Sequence, residues 1–314
     1  RLTQSHDVAV IEVGTNHPGE IGSLCEVLLP THGLITNIGH EHLEFFKDLN
    51  GVARAEAELF DWLKTYRSKD GKIFLNKDDA HLKRQSRSLR NIVSYGFTSR
   101  NAAFRGTSLK LSDNACAEFQ VSTPGGRSAL PIALSIPGLH SAHNALAAAA
   151  VGMTLRVPGK NISEALHAFR PAGKRMELLT VGGITVLNDT YNSNPDSALA
   201  ALRTLSAMKT AGKRIAVLAD MLELGPHADP MHTRIGRVAS AANIDYLLTY
   251  GPLSRATYEA ATTKFKAHYD QKNMLSEYLS ELLSRGDVVL VKGSRGMKME
   301  DVVTFLKERF AKAA

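Results

Sequence analysis

The sequence predicts an α/β protein in two domains, and three observations carry that expectation. From Ile184 onward, apolar β-rich runs alternate almost without interruption with segments of helical period. In the first half, similar runs give way to a block of short strands separated by turn residues. At 314 residues, 44% hydrophobic and 22% charged, the chain is long enough for two ordinary cores and is unlike a collagen, a coiled coil or a disordered polymer.

Taken in order, Val8 to Glu12 and Leu34 to Ile38 read as buried strands, with helices around Gly19 to Leu28 and Gly51 to Lys64. Lys72 to Leu75, Ile92 to Tyr95, Ser108 to Leu111, Glu118 to Ser122 and Ala129 to Leu134 read as strands of a β-rich flank. Ser141 to Leu155 is a helix of small residues, whose Ala-rich face allows close packing. Arg170-Pro171-Ala172-Gly173 breaks the pattern and sets the expected boundary, giving domains 1–173 and 174–314. Beyond it, strands at Ile184 to Leu187, Arg214 to Leu218, Asp245 to Thr249, Phe265 to His268 and Val288 to Val291 alternate with helices. The helices are Asp196 to Lys209, Met231 to Ala242, Leu253 to Thr262, Met274 to Ser284 and Met299 to Phe310. Such repetition signals a parallel sheet with helices on its faces, because parallel strands need crossover connections. Ligands of such sheets sit beyond the carboxyl ends of the strands.

Composition removes several classes. The longest weakly polar stretch, Ala145 to Leu155, is about half of a membrane span, and no charged-then-apolar signal segment opens the chain. Cys25 and Cys116 are too few for a disulfide framework or a four-cysteine zinc site, which fits a reducing, cytoplasmic setting. The chain opens at Arg1 and soon enters an apolar run, as expected of a piece of a larger protein. Net charge is +7, and Lys64 to Lys110 holds twelve basic residues against three acidic. That surplus favours anionic partners. The segment lacks the interleaved aromatics of single-strand binders and any zinc-finger or RNP motif, so it reads as a solvated basic face near a phosphate-bearing substrate, with no nucleic acid expected.

Four segments carry chemistry. Glu12 closes the first apolar run ahead of Val13-Gly14-Thr15-Asn16-His17-Pro18-Gly19-Glu20, and reads either as a Mg²⁺ ligand on a rigid strand end or as a solvent-exposed carboxylate. Gly39-His40-Glu41-His42-Leu43-Glu44 resembles a metal cluster, but its spacing is not His-Glu-x-x-His, which argues against zinc. Glu56 and Glu58 follow on a helix and cannot share its face. The loop Asn188 to Asp196 places amides and carboxylates where a ligand would lie; turn and cap chemistry is its simpler explanation, with Asp196 as the cap. Val291-Lys292-Gly293-Ser294-Arg295-Gly296 joins the last strand to the last helix, exposing backbone N–H groups and cations to a carboxylate or phosphate.

Together these residues resemble the Mur ligases, ATP-dependent amide-bond-forming enzymes of peptidoglycan synthesis. The matching segments are Glu12 to Glu20, His42 to Phe60, Pro137 to Ala147, Asp189 to Pro195, Asp220 to Gly225 and Val291 to Val302, in the family's order along the whole chain. The resemblance implies a partial central ATPase domain followed by a Rossmann-like C-terminal domain, with ATP and Mg²⁺ as cofactors. It implies that Glu12, His42 and Glu56 hold Mg²⁺, that Asn144 and Asp189 contact the adenosine, and that Arg175 reaches the ATP phosphates. Asn192, Asn194, Lys292, Ser294 and Arg295 would face the incoming amine. The implied substrates are UDP-N-acetylmuramoyl-tripeptide and D-Ala-D-Ala, joined through an acyl phosphate.

Three departures qualify this. The family's P-loop, GxxxxGK[ST], occurs nowhere in the chain, so the chain alone is expected to be inactive. Glu56 stands where the family usually has a carbamylated lysine, and supplies the carboxylate without the CO₂ adduct. Ser141 stands where members often carry Asn, near the adenine contacts. A folylpolyglutamate-type or other Mur-type ligase, or a non-catalytic anion-binding module, remain the alternatives.

Overall fold

The computed structural model describes residues 2–123, 126 and 129–311, which build two six-stranded sheets. The first half runs α1 (Glu20–Leu28), β1 (His32–Ile35), α2 (Leu43–Phe46), α3 (Leu49–Tyr66), β2 (Lys72–Asn76), α4 (Ala80–Gln85), β3 (Ile92–Gly96), β4 (Phe104–Leu111), β5 (Cys116–Ser122), β6 (Leu130–Pro137), α5 (Leu139–Thr154) and α6 (Gly159–Ala168). Its sheet keeps sequence order: β1 to β4 are parallel, and β4, β5 and β6 are antiparallel, which is the expected β-rich flank. Successive residues of β2 point to opposite faces, Ile73 and Leu75 into a core with Phe60 and Leu63 of α3, and Phe74 into another with the small residues of α5.

The second half runs β7 (Glu177–Val181), β8 (Ile184–Asp189), α7 (Pro195–Ala207), β9 (Arg214–Ala219), α8 (Ala228–Ala241), β10 (Tyr246–Tyr250), α9 (Arg255–Ala260), β11 (Phe265–Tyr269), α10 (Lys272–Leu282), β12 (Val288–Lys292) and α11 (Glu300–Ala311). Strand order is β11-β10-β9-β12-β8-β7, parallel except for the β7–β8 hairpin. In β9, Ala216 and Leu218 join the core under α7 and α8, while Ile215, Val217 and Ala219 join the core under α10 and α11. Burial on both faces explains why these strands read as unbroken apolar runs.

Two expectations are corrected. Val8 to Glu12 is not a strand: β1 pairs only with β2 among the described residues, the segment joins no ladder, and Val10 is 89% exposed. An apolar run without a neighbour to complete its hydrogen bonds does not become a strand. Asp196 is not the cap of α7. Asn194 is, accepting from Ser197 N at 2.8 Å while Ser197 Oγ accepts from Asn194 N at 3.0 Å, with Pro195 in the first turn. The hairpin strand β7 escaped the reading although Gly182-Gly183, with φ of +58° and +77°, is the turn that such hairpins favour.

Candidate active site

The strand-end loops of the two sheets meet. Leaving β1, His40 donates from its backbone N to Asp196 Oδ2 at 2.7 Å, and its ring Nδ1 lies 2.9 Å from the same oxygen. Asp196, released from capping, therefore ties the loop after β1 to the first turn of α7. His42, at φ +47°, puts Nδ1 2.6 Å from Glu223 Oε2, and Glu44 N donates to Glu223 O at 3.3 Å. The core beneath runs on across this junction, joining Leu43, Phe46 and Val52 to Leu199, Leu202 and Leu224.

Beside the junction stand carboxylates with different duties. Glu58 accepts from Gly19 N at 2.7 Å and Gly22 N at 2.9 Å, and so closes the N-terminus of α1, whose first residue lacks a side-chain cap of its own. Glu56, one face away on α3, has no such donors. Burial, then the neighbouring charges of Glu41 and Glu58, push its carboxyl up to about 7. Glu41 is raised too, by burial first, partly offset by His42 and reinforced by Asp196. Two half-buried carboxylates with uncompensated charge are hard oxygen donors of the kind Mg²⁺ takes, and to that extent the residues fit the ion. Glu12 lies on the exposed opening segment, and His42 is turned to Glu223. Among the described residues no three His, Cys, Asp or Glu side chains converge tightly enough to hold a metal.

Across the junction, the ends of β8 and β12 form the other wall. Asp189 and Lys292 are both buried; Lys292 Nζ donates to Asp189 Oδ2 at 2.6 Å and to Asn192 O at 2.9 Å, while Asp189 Oδ1 accepts from Met176 N at 3.0 Å. Both side chains are thus spent on each other and on the loops. Ser294 is buried as well, its Oγ donating to Ser193 O and accepting from Leu222 N, each at 2.9 Å. Asn194 is the α7 cap already described. Asn192 is exposed, and its Oδ1 accepts from Ser193 N at 2.8 Å.

Two cations remain at the surface: Arg175, whose guanidinium stacks 3.9 Å over the Tyr191 ring, and Arg295, at 59% side-chain exposure. Asn144 is exposed on α5. Ser141 Oγ is occupied with Pro137 O at 2.9 Å. Asp220, of the Asp220 to Gly225 segment, is buried and holds Ser254 N at 2.7 Å, so it shapes the loop after β10.

Sequence reasoning passed over His140, Asp196 as a tie, Glu223, Lys174 and Glu300. His140 starts α5 from the first half yet sits electrostatically against Asp189 and Lys292. Burial lowers its pKa, Asp189 opposes that, and Lys292 and His143 add to the lowering. Its place in Pro137-Gly138-Leu139-His140 was visible; its partners Asp189 and Lys292, far downstream in the second half, were not.

Residues 1–152 match the Mur ligase middle domain, and residues 174–295 match the Mur ligase glutamate ligase domain. The UDP-N-acetylmuramoyl-tripeptide--D-alanyl-D-alanine ligase of Escherichia coli is 34% identical over 313 residues, 98% of this chain and 67% of its own length. The enzyme of that name from Bacillus subtilis is 32% identical over 98% of this chain and 66% of its own. A crystal structure of MurF from Acinetobacter baumannii superposes with a TM-score of 0.87 at 27% identity, over 98% of this chain and 66% of that one. The chain therefore spans about two thirds of the length of these relatives.

Proposed function

The chain belongs to the Mur ligase family, and from that premise we propose that the protein carrying it is an ATP-dependent ligase joining D-Ala-D-Ala to the carboxylate of UDP-N-acetylmuramoyl-tripeptide. One observation carries the reading on the structural side: the loops leaving β1 in one sheet and β8 and β9 in the other meet at His40–Asp196 and His42–Glu223. A reaction needing nucleotide, carboxylate and amine together calls for such a junction of strand ends. The division at 173/174 belongs to the same reading, supported by the separation of the sheets between β6 and β7. So does a cytoplasmic location, consistent with the absence, among the described residues, of a helix long and apolar enough to cross a membrane.

In this reading the tripeptide carboxylate attacks the γ-phosphate, breaking its bond to ADP and giving an acyl phosphate. The amine of D-Ala-D-Ala then adds to the acyl carbon, and the tetrahedral intermediate expels phosphate. Arg175, held by the Tyr191 ring, meets charge building on the transferred phosphoryl group, and Arg295 meets the carboxylate of the dipeptide. Asn144 stays a nucleotide contact. Asp189, with both oxygens committed, serves the nucleotide by fixing Lys292 and the backbone at Met176. Lys292, Ser294 and Asn194 set the shape of the acceptor loops, and Asn192 lies at their surface. Glu56, with Glu41 beside it, would supply hard oxygen donors to Mg²⁺, which when bound neutralises phosphate charge.

The experiment is phosphate release by the full-length protein given ATP and UDP-N-acetylmuramoyl-tripeptide, with D-Ala-D-Ala, D-Glu, meso-diaminopimelate or lysine as acceptor. The dipeptide is expected to give the fastest release, and a faster rate with any other acceptor removes the assignment.

A further inference from the structure

Beyond the residues given roles so far, one carboxylate gathers two cations at the same strand ends. Glu300 opens α11, and its Oε1 accepts from Lys174 Nζ at 2.9 Å and from Arg295 Nη1 at 2.8 Å. Lys174 lies just ahead of β7 and Arg295 in the turn after β12, so one oxygen ties segments distant in the chain. Glu300 Oε2 is buried with no hydrogen-bond partner, which leaves Oε1 as the side-chain oxygen through which these cations compensate the charge. A carboxylate in the first turn also complements the helix dipole. Burial pushes the Glu300 carboxyl up, yet the Lys174 hydrogen bond, its own backbone N–H and the charges of Lys174 and Arg295 outweigh that and hold it below the ordinary glutamate value.

Two cations on one carboxylate leave a net positive charge. Arg295 spends only Nη1 on Glu300, and its other guanidinium N–H groups have no protein acceptor among the described residues. They form a planar fork suited to a carboxylate. An untethered arginine would lose rotamer freedom on seizing that anion, so a tether made beforehand improves binding. Lys174 contributes by holding the same carboxylate oxygen.

We infer that Glu300 is a positioning residue, which orients Arg295 toward the carboxylate of the incoming amine substrate. This rests on the ligase reading above. Glu300 acts on the acceptor through Arg295, so its removal weakens acceptor binding while leaving chemistry and nucleotide binding nearly unchanged.

The test is a double-mutant cycle in the full-length protein with D-Ala-D-Ala as acceptor. Glu300→Gln is expected to raise the acceptor KM roughly tenfold, with kcat and the KM for ATP changed by less than about threefold. Glu300→Asp, which keeps the charge, recovers part of the loss. In an Arg295→Ala background, Glu300→Gln has no further effect on the acceptor KM; if turnover there is too low for a KM, calorimetric titration of D-Ala-D-Ala into the same variants reads the same cycle. Additive losses, an equal rise in the KM for ATP, or an unchanged acceptor KM overturn the positioning role while leaving the ligase reading intact. Absence of any dipeptide-dependent phosphate release by the unmutated protein overturns both.

Discussion

Asp189 and Lys292 are register partners at the carboxyl ends of the neighbouring strands β8 and β12, and their side chains meet at 2.6 Å beneath the loops that follow. The pair is buried, its ammonium also bonds Asn192 O, and its carboxylate also bonds Met176 N. Three chain segments are therefore anchored to one ion pair at the wall of the candidate site.

Breaking that pair from one side leaves a charge buried without its partner. Lys292→Met is expected to destabilise the fold by about 3–5 kcal/mol in urea unfolding, whereas adding Asp189→Asn restores much of the loss, because removing both charges also removes the desolvation penalty. A single substitution that shifts the unfolding midpoint no more than an exposed control such as Lys160→Met contradicts a buried pair of this importance.

Glu58 makes a separate prediction, because it serves α1 from α3. Glu58→Ala leaves the Gly19 and Gly22 N–H groups without their acceptor, with an expected loss of about 1–2 kcal/mol, comparable to losing a helix cap. Amide exchange at Gly22 should quicken with it. An unchanged exchange rate at that position is the result that would count against the role.

The alternation of strands and helices was legible because it rests on periodicity, which any window of the second half displays. The site was legible only in part. Lys292 and Ser294 looked like ligands because they follow a strand and precede a helix, yet they face inward to Asp189 and Ser193, residues about a hundred positions away. Pairings of that range depend on strand register, which sequence pattern does not give. The opening run Val8 to Glu12 failed for a similar reason: its composition is that of a strand, but a strand also needs a neighbour. Arg295 remains at the surface as its strand-to-helix turn suggested, though neither Glu300, which holds it, nor Tyr191, on which Arg175 stacks, was foreseen.

The missing P-loop gives a third expectation, for this chain as an isolated polypeptide. It keeps Asn144 and Arg175 at the surface but carries no GxxxxGK[ST] segment to cradle phosphates with backbone N–H groups. Calorimetry should find only weak Mg-ATP binding, with a Kd in the range of about 0.1–1 mM, equivalent to about 4–5.5 kcal/mol. Micromolar or tighter binding would show that the phosphates are held by residues other than a P-loop.

Glu56 yields the prediction in which stability and activity move in opposite directions. Its carboxyl is pushed from the usual 4.5 up to about 7, by burial first and then by Glu41 and Glu58. The folded state thus keeps a proton that the unfolded chain releases, so the contribution of this group to stability is complete below the unfolded value and is lost as pH rises through about 7. The loss is at most about 3 kcal/mol and smaller where the coupled carboxylates share the proton. Glu56→Gln removes the charge and changes helix propensity little, so it should match the unmutated protein in urea at pH 4.5 and exceed it at pH 8. If Glu56 helps to hold Mg²⁺, the same substitution lowers turnover of the full-length protein at limiting Mg²⁺, and because Glu carries its carboxyl without a CO₂ adduct, added bicarbonate leaves the unmutated rate unchanged. A Gln variant less stable than the parent at pH 8 would show that the charge is compensated within the fold. Equal turnover at limiting Mg²⁺ would instead remove Glu56 from the metal site while leaving its titration untouched, so the two measurements separate the electrostatics of α3 from its chemistry.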